Sequence, residues 1–151
     1  MPKNDLIVRP LEADDRASWT QLWDLYLEFY HTSVTDEVHD VYFDRLLNDD
    51  PNDFNCFMAI LDGKPVGLTH YLFHRHGWKV ENVCYLQDLY ALPETRGTGV
   101  GRALIEAVYA EADRRGAPSV YWLTQEDNAT ARKLYDRIAA KTDFIKYQRP
   151  L

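Results

Sequence analysis

The chain has 151 residues, 46% hydrophobic and 27% charged, with a formal net charge of −7. That length supports one domain with a substantial core, and the acidic balance disfavours a general nucleic-acid binder, whose affinity would come from Lys and Arg. Cys56 and Cys84 lie in apolar runs, and no run has signal-peptide or membrane-spanning length. The expectation is therefore a cytoplasmic protein with reduced thiols and no membrane partner.

Residues 6–10 read as a short strand stopped by Pro10. Residues 14–30 read as a helix, because Trp19, Leu22, Trp23, Tyr26, Leu27 and Tyr30 fall on one face. Most of that stripe is core. Asp24 and Glu28 sit on its flank, where a solvated surface is the simpler account. Glu28 and Tyr30 are nevertheless carried forward as candidate acceptor contacts. A second helix follows a polar connector, with Val38, Val41, Tyr42 and Leu46 as its expected apolar face. Residues 56–61 and 65–73 form an expected hairpin about Asp62-Gly63. His70, His74 and His76 fall at even spacing on and just beyond the second of these strands, but no Cys or carboxylate in the segment completes a ligand set, so no metal site is expected.

The fourth strand, residues 83–92, is nearly continuous in apolar residues, as expected when both faces are covered. A third helix then carries Val100, Leu104, Ala107, Val108 and Ala112 inward and stops at Gly116-Ala117-Pro118. Residues 119–124 form a fifth strand, expected to run parallel to the fourth through a right-handed crossover. Residues 128–140 form a fourth helix, with Ala131, Leu134, Tyr135, Ile138 and Ala139 inward, and residues 144–148 a last strand. The sum is one α/β domain with a mixed sheet and about four helices.

Between the fourth strand and third helix lies Arg96-Gly97-Thr98-Gly99-Val100-Gly101. A glycine-rich turn opening a helix is an anion site, since its N–H groups lack intrahelical partners and the helix dipole adds positive charge. Glycines at 97, 99 and 101 are expected to permit left-handed angles and close approach of a phosphate. A dinucleotide fingerprint needs glycine at 102, which is Arg102; a nucleoside-triphosphate loop needs Lys-Ser/Thr after Gly101 and finds Arg102-Ala103.

This loop, following Asp88-Leu89-Tyr90-Ala91-Leu92-Pro93, resembles the coenzyme A loop of the GNAT superfamily of N-acetyltransferases. Trp122-Leu123-Thr124 through Asn128, Ala131, Leu134, Tyr135 and Phe144 resembles that superfamily's later motif, and the order of elements matches over nearly the whole chain. The diamine and polyamine acetyltransferases and their histone-acetylating relatives are the nearest in motif. The resemblance implies a single N-acetyltransferase domain over residues 1–151, with a mostly antiparallel sheet and parallel strands four and five. It implies acetyl-CoA as cosubstrate, with pyrophosphate on the N–H groups of Gly97, Thr98, Gly99, Val100, Gly101 and Arg102. Arg96 and Arg102 would add charge, Leu89, Tyr90 and Ala91 would offer backbone groups to the pantetheine arm, and Asn128 would touch that arm or cap the helix. Tyr135 would protonate the departing thiolate; the alternative is a core aromatic. The position where polyamine enzymes carry a glutamate is Gln87, a weak acceptor contact that cannot take a proton as a carboxylate does. Glu126, Asp88 or a water chain remain as bases. The acceptor is read as a small primary amine, polyamine or amino-acid-like. Protein lysine or N-terminal acetylation, or a non-catalytic coenzyme A sensor, are the alternatives. A homodimer is expected by family analogy.

Overall fold

The computed structural model describes residues 5–151. Five strands lie in the order β1-β2-β3-β4-β5: β1 (Leu6–Pro10), β2 (Asn55–Leu61), β3 (Lys64–His74), β4 (Val83–Ala91) and β5 (Val120–Tyr121). The first four are antiparallel neighbours and β4 pairs with β5 in parallel. The helices are α1 (Arg16–Phe29), α2 (Asp36–Leu46), α3 (Val100–Arg114) and α4 (Ala129–Ile138). The mixed sheet and parallel crossover agree with the sequence.

One core packs α1 and α2 on the sheet through Trp19, Leu22, Trp23, Leu27, Phe43 and Leu46 with Met58 and Leu68. The other packs α3 through Ile105, Val108 and Ala112 against Tyr71, Phe73, Cys84 and Leu86. Ile105, rather than the expected Ala107, completes the inner stripe of α3.

Four expectations need correction. In α2 the buried residues are His39, Phe43 and Leu46, while Val38 and Val41 face solvent. Hydropathy misplaced this face because His39 is buried with both ring nitrogens satisfied, 2.9 Å from the Thr35 carbonyl and 2.7 Å from Asp24. In α4 no residue is fully buried and Ala139 is exposed. Strand β5 is two residues long rather than six, and residues 144–148 form no strand; Phe144 and Tyr147 are 83% and 88% exposed. A terminal strand needs a neighbouring edge to satisfy its ladder, and β5 parts from β4 after Cys84↔Val120 and Tyr85↔Tyr121, leaving no edge of useful length.

Candidate active site

The parting of β4 and β5 makes the site. Beyond Tyr85 the two strands no longer pair, and a narrow cleft opens between them. Leu86, Gln87 and Leu89 of β4 line it on one side and Trp122, Leu123 and Thr124 on the other. Tyr26 and Tyr30 come from α1, and Tyr135 from α4. Tyr135 packs edge-on against Trp122, ring centroids 5.3 Å apart, and its hydroxyl has no hydrogen-bond partner among the described residues. Burial, with a smaller contribution from Tyr30, pushes the Tyr135 pKa up to about 12, so it enters any reaction near neutral pH as a phenol, a donor. A broader, open depression at the end of α1 is lined by Glu28, His31, Thr32 and Ser33.

The glycine loop sits between the turn Pro93–Thr95 and α3. Gly97 and Gly99 have φ of +82° and +84°, and Gly99 is the N-cap of α3. An L side chain at either place would be strained. Gly101 departs from expectation: it lies inside the first turn of α3 with no positive φ. Thr98 also differs, because its N–H already bonds the Thr95 carbonyl at 3.1 Å and its hydroxyl bonds the same oxygen. The N–H groups of Gly97, Gly99, Val100, Gly101 and Arg102 have no partner among the described residues, which is the donor set an anion needs at a helix N-terminus. Arg96 is exposed, while Arg102 pairs with Glu106 at 2.8 Å. Asn128 is the N-cap of α4, but its side chain makes no capping bond and instead reaches Thr124 Oγ1 on the cleft wall at 3.3 Å.

On the other side of β4 the strand is irregular. His70 pairs with Asp88 and Tyr71 with Leu86, so Gln87 is an extra, unpaired residue. A bulge of this kind re-aims the side chains around it. Leu86 packs on α3, whereas Asp88, two residues on, faces α1 and α2. In a regular strand the two would share a face.

Asp88 is buried and accepts three hydrogen bonds: from the Tyr26 hydroxyl at 2.8 Å, the Tyr42 hydroxyl at 2.9 Å and His70 Nδ1 at 2.9 Å. Trp19 Nε1 is 3.0 Å from His70 Nε2. An indole N–H only donates, so Nε2 must accept and the proton of the neutral ring lies on Nδ1, aimed at Asp88. Burial first, then the Asp88 charge, drives the Tyr26 and Tyr42 pKa values far above the ordinary phenol range. Both hydroxyls are therefore protonated donors toward Asp88. Trp23 stacks on Tyr26, centroids 4.9 Å apart, and its buried indole N–H has no partner among the described residues. Burial also pushes the Cys84 thiol up to about 12 and the Cys56 thiol well above its ordinary value, so neither supplies a ready thiolate.

The structure thus brings Tyr135, Tyr30, Gln87 and Leu89 into one cleft, with Asn128 bound to its wall. Glu28 lies on the separate depression. Tyr90 shares its strand face with Asp88, and Ala91 lies on the α3 face, paired with Gly67. Periodicity puts Tyr26 and Tyr42 on apolar helix faces, and His70 reads only as a histidine without a ligand set, so nothing local in the sequence joins them to Asp88. The available signal was a carboxylate within an apolar strand, since a buried charge requires partners.

An open mixed sheet that splits between two parallel strands, with an anion-binding glycine loop at the head of the crossover helix, defines an acyltransferase that draws its acyl group from a coenzyme A thioester. Residues 19–139 match the Acetyltransferase (GNAT) family. The D-amino-acid N-acetyltransferase HPA3 of Saccharomyces cerevisiae is 37% identical over 150 residues, covering 99% of this chain and 93% of that protein. The thialysine N-epsilon-acetyltransferase of Bos taurus is 34% identical over 96 residues, 58% of this chain and 56% of that one. Among solved structures, the aminoglycoside N-acetyltransferase AAC(6')-Iy in complex with CoA superposes with a TM-score of 0.84 at 20% identity, covering 99% of this chain and 97% of its own, a likeness of fold. The chain belongs to the GNAT acetyltransferase family, whose acyl donor is acetyl-CoA.

Proposed function

We propose that this enzyme moves the acetyl group of acetyl-CoA to the primary amine of a small acceptor, amino-acid-like or polyamine, by direct attack in a ternary complex. The observation that carries the reading is the cleft between β4 and β5, where a Tyr135 hydroxyl without a partner among the described residues stands beside unpaired strand edge. The residues present suit the cosubstrate: the free N–H groups at the head of α3 match a pyrophosphate, with Arg96 as an exposed cation beside them. Bound there, acetyl-CoA supplies an activated thioester carbonyl. Backbone groups alternate along β4, so Tyr90 and Leu92 turn theirs toward β3; the N–H groups of Leu89 and Ala91 would bind the amide-like arm and stabilise an oxyanion. Tyr135 donates its proton to the sulfur as the C–S bond breaks. Cys56 and Cys84, buried and protonated, support direct transfer over an acylated cysteine.

The amino-acid preference follows the D-amino-acid acetyltransferase relative, which aligns with almost the entire chain. Tyr30 and Gln87 offer polar contacts at the acceptor side of the cleft. The enzyme is further proposed to act as a homodimer, the exposed Phe144, Ile145 and Tyr147 being the apolar surface that a second copy would cover; analytical ultracentrifugation tests this. For the activity, the test is release of free thiol from acetyl-CoA with D- and L-amino acids, thialysine and polyamines. Turnover with an amino-acid amine is expected. Binding of acetyl-CoA without turnover of any amine would refute the reading and favour a sensor.

A further inference from the structure

Any amine attacking a thioester must lose a proton, and Gln87, which projects beside the cleft, has no carboxylate to accept it. We propose that Tyr26 receives the acceptor amine, its hydroxyl orienting the nitrogen and passing the proton to the buried Asp88 carboxylate. The inference rests on the cleft being the acetyl-transfer site.

Asp88 has three donors, and each could be mere scaffolding. Their placement separates them. Tyr42 and His70 approach from α2 and β3 and do not line the cleft; Tyr26 does. His70 is committed on both sides, to Trp19 through Nε2 and to Asp88 through Nδ1, so it has no free lone pair for another proton. Tyr42 is packed among Trp19, Trp23 and Phe54, away from the cleft. The Tyr26 ring, half-buried like that of Tyr42, lines the cleft, with its proton directed at Asp88 Oδ1, 2.8 Å away. A hydroxyl whose proton is already donated has lone pairs for an N–H on its open side.

The chemistry balances without another reactant. An N–H bond of the ammonium breaks as a new O–H bond forms on Tyr26, while the original Tyr26 proton moves to Asp88 Oδ1. The ammonium becomes a neutral amine, the carboxylate becomes a carboxylic acid, and Tyr26 ends as it began. Tyr26 is a conduit rather than the resting base, because burial and the Asp88 charge disfavour its phenolate. The groups facing it are Asp88, Tyr85 and Tyr90 from β4, Tyr30 and Trp23 from α1, and Tyr42 beyond Asp88. Asp88 is the one carboxylate among them. The bulge at Gln87 makes the route possible, since it turns Asp88 away from α3 and toward α1.

The experiment is Tyr26→Phe in the full chain, assayed by thiol release with the best amine found, alongside acetyl-CoA affinity by calorimetry. Loss of a proton acceptor in a positioned relay should lower kcat/KM for the amine about 100-fold. Acetyl-CoA affinity should be unchanged. The residual rate should climb tenfold per pH unit with the free-amine fraction, up to the amine pKa, where the parent enzyme shows a flatter profile. A purely structural Tyr26 would not reshape that profile. Should Tyr26→Phe fail to fold, 3-fluorotyrosine at position 26 retains the hydroxyl, and a shifted acid limb is then expected. A kcat/KM within about threefold of the parent with an unchanged profile, in either variant, overturns the inference. An unmodified enzyme that binds acetyl-CoA yet acetylates no amine overturns the reading of the cleft and this inference with it, whereas an active enzyme indifferent to Tyr26 overturns this inference alone.

Discussion

Replacing Asp88 with asparagine removes one buried charge and preserves shape, so its cost can be worked from the cluster geometry. Asp88 accepts from Tyr26 at Oδ1 and from Tyr42 and His70 at Oδ2. If the amide nitrogen took the Oδ2 place, it would confront two donors. His70 could not adapt by changing tautomer, because Nε2 must go on accepting from Trp19. With the nitrogen at the Oδ1 place, the carbonyl keeps Tyr42 and His70, and Tyr26 rotates its hydroxyl to accept instead. Tyr42 and His70 then keep an acceptor, while the Tyr26 O–H loses its own and the amide brings a second N–H, so the loss is chiefly that of charge assistance. Hydrogen bonds to charged groups contribute ~1.5–3 kcal/mol against ~0.5–1.5 for neutral ones, so three of them weaken by about 2–4 kcal/mol in total after relief of the buried charge. For a domain of this size that lowers Tm by roughly 5–15 °C. Urea and thermal unfolding followed by circular dichroism measure it. Asp88→Ala, which strands all three donors and opens a cavity, should cost more than Asp88→Asn. An asparagine variant within about 0.5 kcal/mol of the parent would refute the reasoning, showing that the charge contributes nothing to holding α1 and α2 on β4.

Tyr135→Phe should lower kcat about 100-fold and leave acetyl-CoA affinity unchanged by calorimetry, since it removes a donor used only as the thiolate departs; an equally fast variant would return Tyr135 to a packing role. Gly99→Glu forces a side chain onto a φ of +84° and places a negative charge in the anion cradle, so the acetyl-CoA Kd should rise more than about tenfold, which calorimetry reads directly. His39 carries a pH dependence of stability. Burial opposes its charge, but the Thr35 carbonyl and Asp24 outweigh burial and raise its pKa. Its folded pKa lies above the unfolded value of about 6.5, so its contribution is complete below that pH and is lost as pH rises through the folded pKa. Relative to His39→Gln, the parent should therefore gain stability in urea melts as pH is lowered from 8.5 toward 5.5; a constant difference would show the ring to be neutral in the fold.

Local signals in the sequence determined much of this protein. The helical stripe of α1, the hairpin at Asp62-Gly63, the stop at Gly116 and the glycine loop at the head of α3 each depend on residues within a few positions of one another. Periodicity and backbone preference report such features directly. The same holds for the parallel β4–α3–β5 crossover, whose hand and direction follow from chain connectivity. The C-terminal strand failed because Phe144 to Gln148 has the composition of a strand but no edge to pair with, and an edge belongs to the whole sheet. The α2 face failed because His39 is made burial-competent by Asp24, fifteen residues away on another helix. The Asp88 cluster lay beyond the sequence for the same reason. Its members come from α1, α2, β3 and β4, and Asp88 reaches them because an unpaired Gln87 turns the strand. A one-residue bulge leaves no mark in hydropathy, yet it decides which face of the sheet receives the charge. The loop at residues 96–101 specified the kind of cosubstrate; the packing of two helices over a bulged strand decided where a proton from the amine can go.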